Sequence, residues 1–177
     1  MITGEKTFLR GIVKEDAPII YQWVNLESLR ASTGTLYPIS EYEHEDWIKR
    51  TVTASDKKLF MICDKESGTP IGTIGLKNFD NLNRRVELYI SIGNEKFLSN
   101  PNSKGGFGTD AVKTLVNYCF THLNIHKVTL NVYESNKRAI RCYEKAGFIQ
   151  EGVLKQHHFS NGKYEDVFVM GIISDYN

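Results

Sequence analysis

The sequence is poor in cysteine and has no long apolar run. Its three cysteines, Cys63, Cys119 and Cys142, are scattered and form no C-x-x-C pair. This spacing excludes a disulfide framework and argues against a zinc site built on thiolates. The apolar runs fall well short of the roughly 18–20 residues that span a bilayer. The first ten residues also lack the apolar segment of a secretory signal. We therefore expect a cytoplasmic protein that does not bind membranes.

The chain also lacks an excess of charge of either sign. Lysine and arginine total 22 against 21 aspartates and glutamates, for a net charge of +1. A protein that binds nucleic acid by neutralising phosphates needs a larger basic excess, so we expect no nucleic-acid partner. The 177 residues show no repeat or linker and suit one domain. We expect a single domain over residues 1–177.

The first half of the chain predicts a short strand over 7–12, then two helices and a run of hairpins. Asp16 is placed to cap a first helix, and Ser40 with Glu43 forms an S-x-x-E capping box before a second. Alternation of apolar residues then predicts strands over 58–64, 71–76 and 85–92.

The second half predicts one β-α-β crossover followed by a hairpin. A helix is predicted over 108–123, a strand over 127–133 and a short helix over 136–146. Final strands over 148–155 and 164–173 are joined by a turn. The predicted order, β-α-α-β-β-β-α-β-α-β-β, indicates an α+β (mixed α/β) fold around one central sheet.

A glycine-rich loop immediately precedes the long helix. Helix starts present unpaired backbone N–H groups, and glycines allow an anion to approach them closely. The loop therefore suggests a phosphate or pyrophosphate site, although a flexible loop with a helix cap remains an alternative. Gly106-x-Gly108-x-x-Ala111 also fits a dinucleotide fingerprint, but about a dozen loop residues separate it from the preceding strand, where that fingerprint requires a tight turn. The loop consists of Ser103, Lys104, Gly105, Gly106, Phe107, Gly108 and Thr109.

Residues 136–148 contain a second motif, N-x-x-A-I-x-x-Y-E-K-x-G-F. Together with the glycine loop, this segment resembles the GCN5-related N-acetyltransferase (GNAT) family. The resemblance implies the acyl-CoA N-acyltransferase fold, in which a mostly antiparallel central sheet is flanked by helices and two parallel strands splay apart. The loop departs from the family pattern at Ser103, where the family has arginine or glutamine. A side-chain contact to the pyrophosphate is then in doubt, and the adjacent Lys104 is placed to offset it.

The resemblance implies acetyl-CoA as co-substrate. Its pyrophosphate is expected on the glycine loop, and its pantetheine arm along the edge of strand 85–92. Asn136 resembles the asparagine that binds pantetheine, with a plain N-cap as the alternative, and Lys145 is a candidate phosphate contact or a surface lysine. The expected cofactor contacts are Ile90, Ser91, Ile92, Ser103, Lys104, Gly105, Gly106, Phe107, Gly108, Thr109, Asn131, Asn136, Ala139 and Lys145.

Two residues are candidates for proton transfer. Tyr143 matches the tyrosine of the family that protonates the departing thiolate, and a core tyrosine is the alternative. A phenol of ordinary pKa is protonated at neutral pH and can donate. Glu87 interrupts an apolar strand and is a candidate base for the amine, directly or through water. Its alternative is an exposed glutamate paired with Arg84 or Arg85.

The expected reaction is direct acetyl transfer to a primary amine in a ternary complex. The acceptor classes left open are a protein N-terminus, a polyamine and an amino sugar, with contacts expected from segments 22–45 and 155–165. Glutamates 41, 43 and 45 suggest attraction of a polyamine or simply a solvated helix face. A non-catalytic acyl-CoA-binding module and a dinucleotide-dependent oxidoreductase are the rival functions. A homodimer through a C-terminal edge strand is also possible.

Overall fold

The computed structural model describes residues 1–98 and 105–175. Two short 3-10 turns, Lys14–Asp16 and Glu95–Phe97, accompany its helices and strands. In chain order the elements are β1 (Ile2–Thr3), β2 (Thr7–Gly11), α1 (Ala17–Val24), α2 (Glu27–Thr33), α3 (Glu41–Thr53), β3 (Lys57–Asp64), β4 (Pro70–Asp80), β5 (Arg85–Ile92), α4 (Phe107–His122), β6 (Lys127–Tyr133), α5 (Lys137–Lys145), β7 (Ile149–Ser160) and β8 (Lys163–Ile173).

One sheet organises the described chain, with strand order β1-β2-β3-β4-β5-β6-β8-β7. Neighbouring strands are antiparallel except β5 and β6, which are parallel. The predicted mixed α/β class, with a mostly antiparallel sheet and one parallel pair, is confirmed. Strand β7 lies at the edge of the sheet, and its pairing with a second copy stays a prediction.

The parallel pair is joined only at its beginning. Within the described residues, β5 and β6 are in register at three positions, the last of which joins Glu87 to Thr129. Beyond that point Leu88–Ile92 pairs with β4, and Leu130–Tyr133 pairs with β8. The two strands therefore separate toward their carboxyl ends, which confirms the splayed pair.

Apolar residues on the two faces of the sheet form separate cores. On one face, Val86 and Leu88 of β5 pack with the buried stripe of α4 that includes Val112 and Leu115. On the other face, side chains of β3 pack with α1 and α2 through Ile20, Trp23, Leu29, Met61 and Cys63. Helices α4 and α5 thus cover one face, and the N-terminal helices cover the other.

Three local predictions have different outcomes. The Ser40–Glu43 capping box is confirmed, since the Ser40 hydroxyl accepts the Glu43 N–H and the Glu43 carboxylate accepts the Ser40 N–H. The predicted Asp16 cap is wrong: Asp16 has helical backbone angles, whereas a capping side chain requires extended backbone. Its carboxylate instead pairs with Arg10 at 2.7 Å and accepts the Val13 N–H. Helix α2 was not predicted, because its seven residues bury only Leu29 and leave no apolar stripe.

Asp110 joins the start of α4 to the start of β2. Its carboxylate accepts the backbone N–H groups of Glu5, Lys6 and Thr7 at 2.8–3.0 Å, and the Thr7 hydroxyl at 2.7 Å. A negative charge in the first turn of a helix is also favourable toward the helix dipole. This contact fixes the start of α4 against the N-terminal strand.

We predict that Asp110→Ala lowers the free energy of unfolding by about 2–3 kcal/mol, because it removes a charged acceptor shared by several donors. Urea denaturation followed by circular dichroism measures the change. Asp46→Ala, which removes an exposed carboxylate of α3, is the control and is expected to change stability by less than about 0.5 kcal/mol. An equal decrease in the free energy of unfolding in the two variants would contradict the role of Asp110 in joining α4 to β2.

Candidate active site

The separated strands border a cavity of about 1120 Å³. Residues of β5, the start of α4 and β6 contribute to it, together with residues from both faces of the sheet. Of the predicted residues, Gly105 and Phe107 are described but do not line it, and Ser103 and Lys104 lie outside the described residues. The predicted residues that line the cavity are Glu87, Ile90, Ser91, Ile92, Gly106, Gly108, Thr109, Asn131, Asn136, Ala139, Tyr143 and Lys145.

The end of the glycine loop turns directly into α4. Gly106 has φ +85°, a left-handed conformation that favours glycine, and it occupies the N-cap position. The Asp110 N–H donates to the Gly106 carbonyl, so the N–H groups of Phe107, Gly108 and Thr109 precede the first intrahelical bond. The structure thus places these N–H groups at the helix start, and their binding of an anion stays a prediction. The Phe107 ring meets the Phe97 ring edge-on, at a centroid distance of 5.0 Å.

Cationic side chains from three elements surround this end of the cavity. Lys6, next to β2, donates from Nζ to the Gly105 carbonyl at 2.9 Å. The cations that line the cavity here are Lys6, Lys113, Arg138, Arg141 and Lys145. Of these five, sequence analysis identified Lys145 alone. Arg138 and Arg141 occupy positions of the 136–148 motif at which no residue type is specified, and Lys6 and Lys113 belong to neither motif. The charges of all five favour an anionic group at the start of α4.

Asn136 caps α5, as one of its two interpretations predicts. Its Oδ1 accepts the Ala139 N–H at 3.1 Å. The cap uses the amide oxygen, and the Nδ2 donors are a separate group of the same side chain that lines the cavity. The geometry is therefore compatible with a simultaneous ligand contact.

Tyr143 is both a core residue and a cavity residue. It is 6% exposed and packs against Phe148, with ring centroids 6.0 Å apart. Burial raises the pKa of Tyr143 far above its ordinary value, so the hydroxyl is protonated throughout the neutral range. The side chain can donate a proton to a group that becomes anionic in the cavity.

Glu87 lies at the last residue pair before β5 and β6 separate. Its Oε1 is 3.0 Å from Lys77 Nζ, and its Oε2 accepts from Asn78 Nδ2 at 2.8 Å. The predicted alternative of an ion pair with Arg84 or Arg85 is wrong. In the antiparallel register Lys77 lies opposite Glu87, while Arg85 lies opposite Asp80 and pairs with it at 2.9 Å. Cross-strand neighbours therefore determine both ion pairs.

The remaining wall of the cavity comes from α2, α3 and β7. Segments 22–45 and 155–165 contribute Leu29, Ser32, Thr33, His157 and His158. The Tyr133 and His158 rings stack at a centroid distance of 3.8 Å with 8° between their planes. Glutamates 41, 43 and 45 are absent from the described lining, and the Glu43 carboxylate is used in the capping box.

Cys142 connects the two helices that flank the site. Its Sγ accepts a hydrogen bond from Thr109 Oγ1 at 3.4 Å, and burial raises the pKa of the Cys142 thiol. Over residues 1–98 and 105–175, no group of histidine, cysteine and carboxylate side chains is arranged to hold a metal ion. No helix in those ranges has the length and apolar character needed to cross a membrane.

Comparisons with known proteins agree with this geometry. A family model described as an acetyltransferase (GNAT) domain matches residues 6–149. Spermidine N(1)-acetyltransferase of Escherichia coli K12 is 34% identical, covering 97% of this chain and 88% of its own length. The Vibrio cholerae enzyme of the same name is 31% identical over 132 residues, covering 74% of this chain and 72% of its own length.

Solved structures of acetyltransferases are also similar to this chain. Spermidine N-acetyltransferase of V. cholerae in complex with CoA and spermine has a TM-score of 0.82, with 27% identity and 95% of each chain covered. A GNAT acetyltransferase of Bacillus anthracis also has a TM-score of 0.82, with 16% identity and 97% of each chain covered, and this likeness shows the fold alone.

We predict that Cys142 is the cysteine alkylated in the native protein. It lines the cavity, whereas Cys63 and Cys119 have no exposed surface. Because the pKa of its thiol is raised, the rate should be slow at pH 7 and should increase with pH. Peptide mass spectrometry after iodoacetamide treatment measures each site. Acetyl-CoA should protect Cys142, and modification of all three cysteines at one rate would contradict the geometry.

Proposed function

Because the chain belongs to the GNAT family of acetyltransferases, we propose that it transfers the acetyl group of acetyl-CoA to a polyamine by direct attack in a ternary complex. The chain is an N-acetyltransferase, and acetyl-CoA is its acetyl donor. The observation that supports the proposed mechanism best is the opening between β5 and β6, which has Glu87 at its apex and Tyr143 in its wall.

In the proposed complex, the anionic part of acetyl-CoA binds at the start of α4. The N–H groups of Phe107, Gly108 and Thr109 hold the pyrophosphate, with Lys6 and Lys145 nearby as cations. Ser103 and Lys104, outside the described residues, stay predicted contacts.

The pantetheine arm has two proposed partners. Its amides extend along Ile90–Ile92, where β5 has no β6 neighbour among the described residues, and they pair as an added strand would. Asn136 donates to it from Nδ2 while its Oδ1 caps α5.

In the proposed reaction, two side chains of the cavity move protons in opposite directions. The Glu87 carboxylate accepts a proton from the acceptor ammonium, and the freed amine nitrogen attacks the thioester carbonyl carbon. The C–N bond forms and the C–S bond breaks. The sulfur leaves as a thiolate and takes the proton of the Tyr143 hydroxyl, which burial keeps protonated. Proton loss from the amine and proton gain by the thiolate balance the reaction.

The choice of a polyamine rests on the named relatives, which are spermidine N(1)-acetyltransferases. A second candidate is an amine with a single positive charge, such as a peptide N-terminus or an amino sugar. Two lysines, Lys57 and Lys77, line the described cavity with Glu87 and would repel a polycation. The two candidates differ in the charge of the acceptor, so an assay that compares acceptors of different charge distinguishes them.

We predict that the protein releases CoA from acetyl-CoA in the presence of spermidine. Thiol release is measured with spermidine, a peptide with a free N-terminus and an amino sugar, each over a concentration series. The highest kcat/KM is expected with spermidine. A higher value with a singly charged amine would replace the polyamine by the second candidate. CoA binding without turnover of any amine would favour a non-catalytic module.

We predict that Glu87→Gln and Tyr143→Phe each lower kcat by about 100-fold or more, because each removes a proton-transfer group at nearly constant shape. The KM for acetyl-CoA should change little. Glu144→Gln and Tyr118→Phe are the matched controls and should retain normal kcat. Wild-type turnover in both site variants would refute the assigned roles.

A further inference from the structure

Two consecutive residues of β4 hold the same carboxylate. Lys77 Nζ lies 3.0 Å from Oε1 of Glu87, and Asn78 Nδ2 donates to Oε2 at 2.8 Å. In a regular strand, successive side chains point to opposite faces of the sheet. Contact of both residues with Glu87 therefore requires a local departure from strand geometry.

That departure is a β-bulge. The register of β4 with β5 shifts between Lys77 and Asp80, and Asn78 has φ +55°. Bulges bend a strand and redirect a side chain, and asparagine tolerates the left-handed conformation better than most residues. The bulge turns the Asn78 amide to the same side as the Lys77 ammonium, so that both oxygens of Glu87 are engaged.

Further contacts define where the Lys77 ammonium lies. Its Nζ is 5.9 Å from the centroid of the Tyr89 ring, within the range of a cation–π contact. Gly75 is opposite Tyr89 in the register, and a Cβ at Gly75 would clash with that ring. The absence of a side chain at Gly75 thus leaves room for Tyr89 beside Lys77.

The held carboxylate is at the apex of the cavity. Glu87 is the last residue of β5 in register with β6, and its β6 neighbour, Thr129, is uncharged. The side chain of Glu87 is 21% exposed, so the interaction with Lys77 is only partly screened by water. Lys77 is its ionic partner among the described residues.

We propose that Lys77 and Asn78 are positioning residues that hold the Glu87 carboxylate directed at the acceptor amine. The proposal rests on the base role of Glu87 in the proposed function. The Lys77 ammonium and the Asn78 amide each contact one oxygen of the carboxylate. Fixing both oxygens limits rotation of the carboxylate away from the amine.

The test measures kcat and the KM for acetyl-CoA in Lys77→Gln, Asn78→Gly and Lys77→Arg. Lys77→Gln should lower kcat about tenfold with little change in the KM for acetyl-CoA. Asn78→Gly, which keeps the left-handed backbone free of strain, should lower kcat in the same way. Lys77→Arg, which keeps a cation beside the carboxylate, should retain a kcat near that of the wild type.

Arg85→Gln is the matched control, because it removes the ion pair with Asp80, which is the other cross-strand ion pair of the same hairpin. The Arg85 side chain is 59% exposed, so its loss should have little effect on the fold. The variant should leave kcat and the KM for acetyl-CoA unchanged. A wild-type kcat in both Lys77→Gln and Asn78→Gly, with Glu87→Gln still impaired, would overturn the positioning roles alone. Full activity of Glu87→Gln would overturn the base role and the positioning roles with it. Thermal melts confirm that each variant is folded.

Discussion

The separation of β5 from β6 is the constraint on which the site depends. Three register positions hold the parallel pair together, and the last of them joins Glu87 to Thr129. Past that point each strand keeps its other neighbour, β4 or β8, so the sheet stays intact while a cavity opens through it. Asp110 fixes the start of α4 near the open end, and Glu87 marks the closed end.

The opening connects the two faces of the sheet, which carry different sets of polar side chains. On the face covered by α4 and α5, backbone N–H groups and a set of lysines and arginines suit the phosphates of a coenzyme. On the face covered by α2 and α3, Glu87 contacts Lys77 and Asn78, and the stacked Tyr133 and His158 rings line the same cavity. In the proposed reaction, the acetyl donor and the acceptor amine therefore enter the opening from opposite faces of the sheet.

Much of this arrangement could be predicted from local sequence. The bounds of β5 and β6 follow from alternation, and the cap at Asn136 and the turn at Gly106 follow from residue type and position. The contacts of Glu87 could not be predicted, because they depend on the β4–β5 register and on a bulge that has no pattern in the sequence. Lys6 donates to the Gly105 carbonyl although the two residues are 99 positions apart in the sequence, so no local pattern could predict the contact. Helix α2 is too short to show a period.

Hydrogen–deuterium exchange with and without acetyl-CoA tests the central claim most directly. If the coenzyme enters between the separated strands, amides of Leu88–Ile92 and of the start of α4 should exchange more slowly when it is bound. The pairing of residues 9–11 of β2 with residues 60–62 of β3, none of which lines the described cavity, should be unaffected and serves as the internal reference. Protection that omits β5 and the start of α4 would contradict the account.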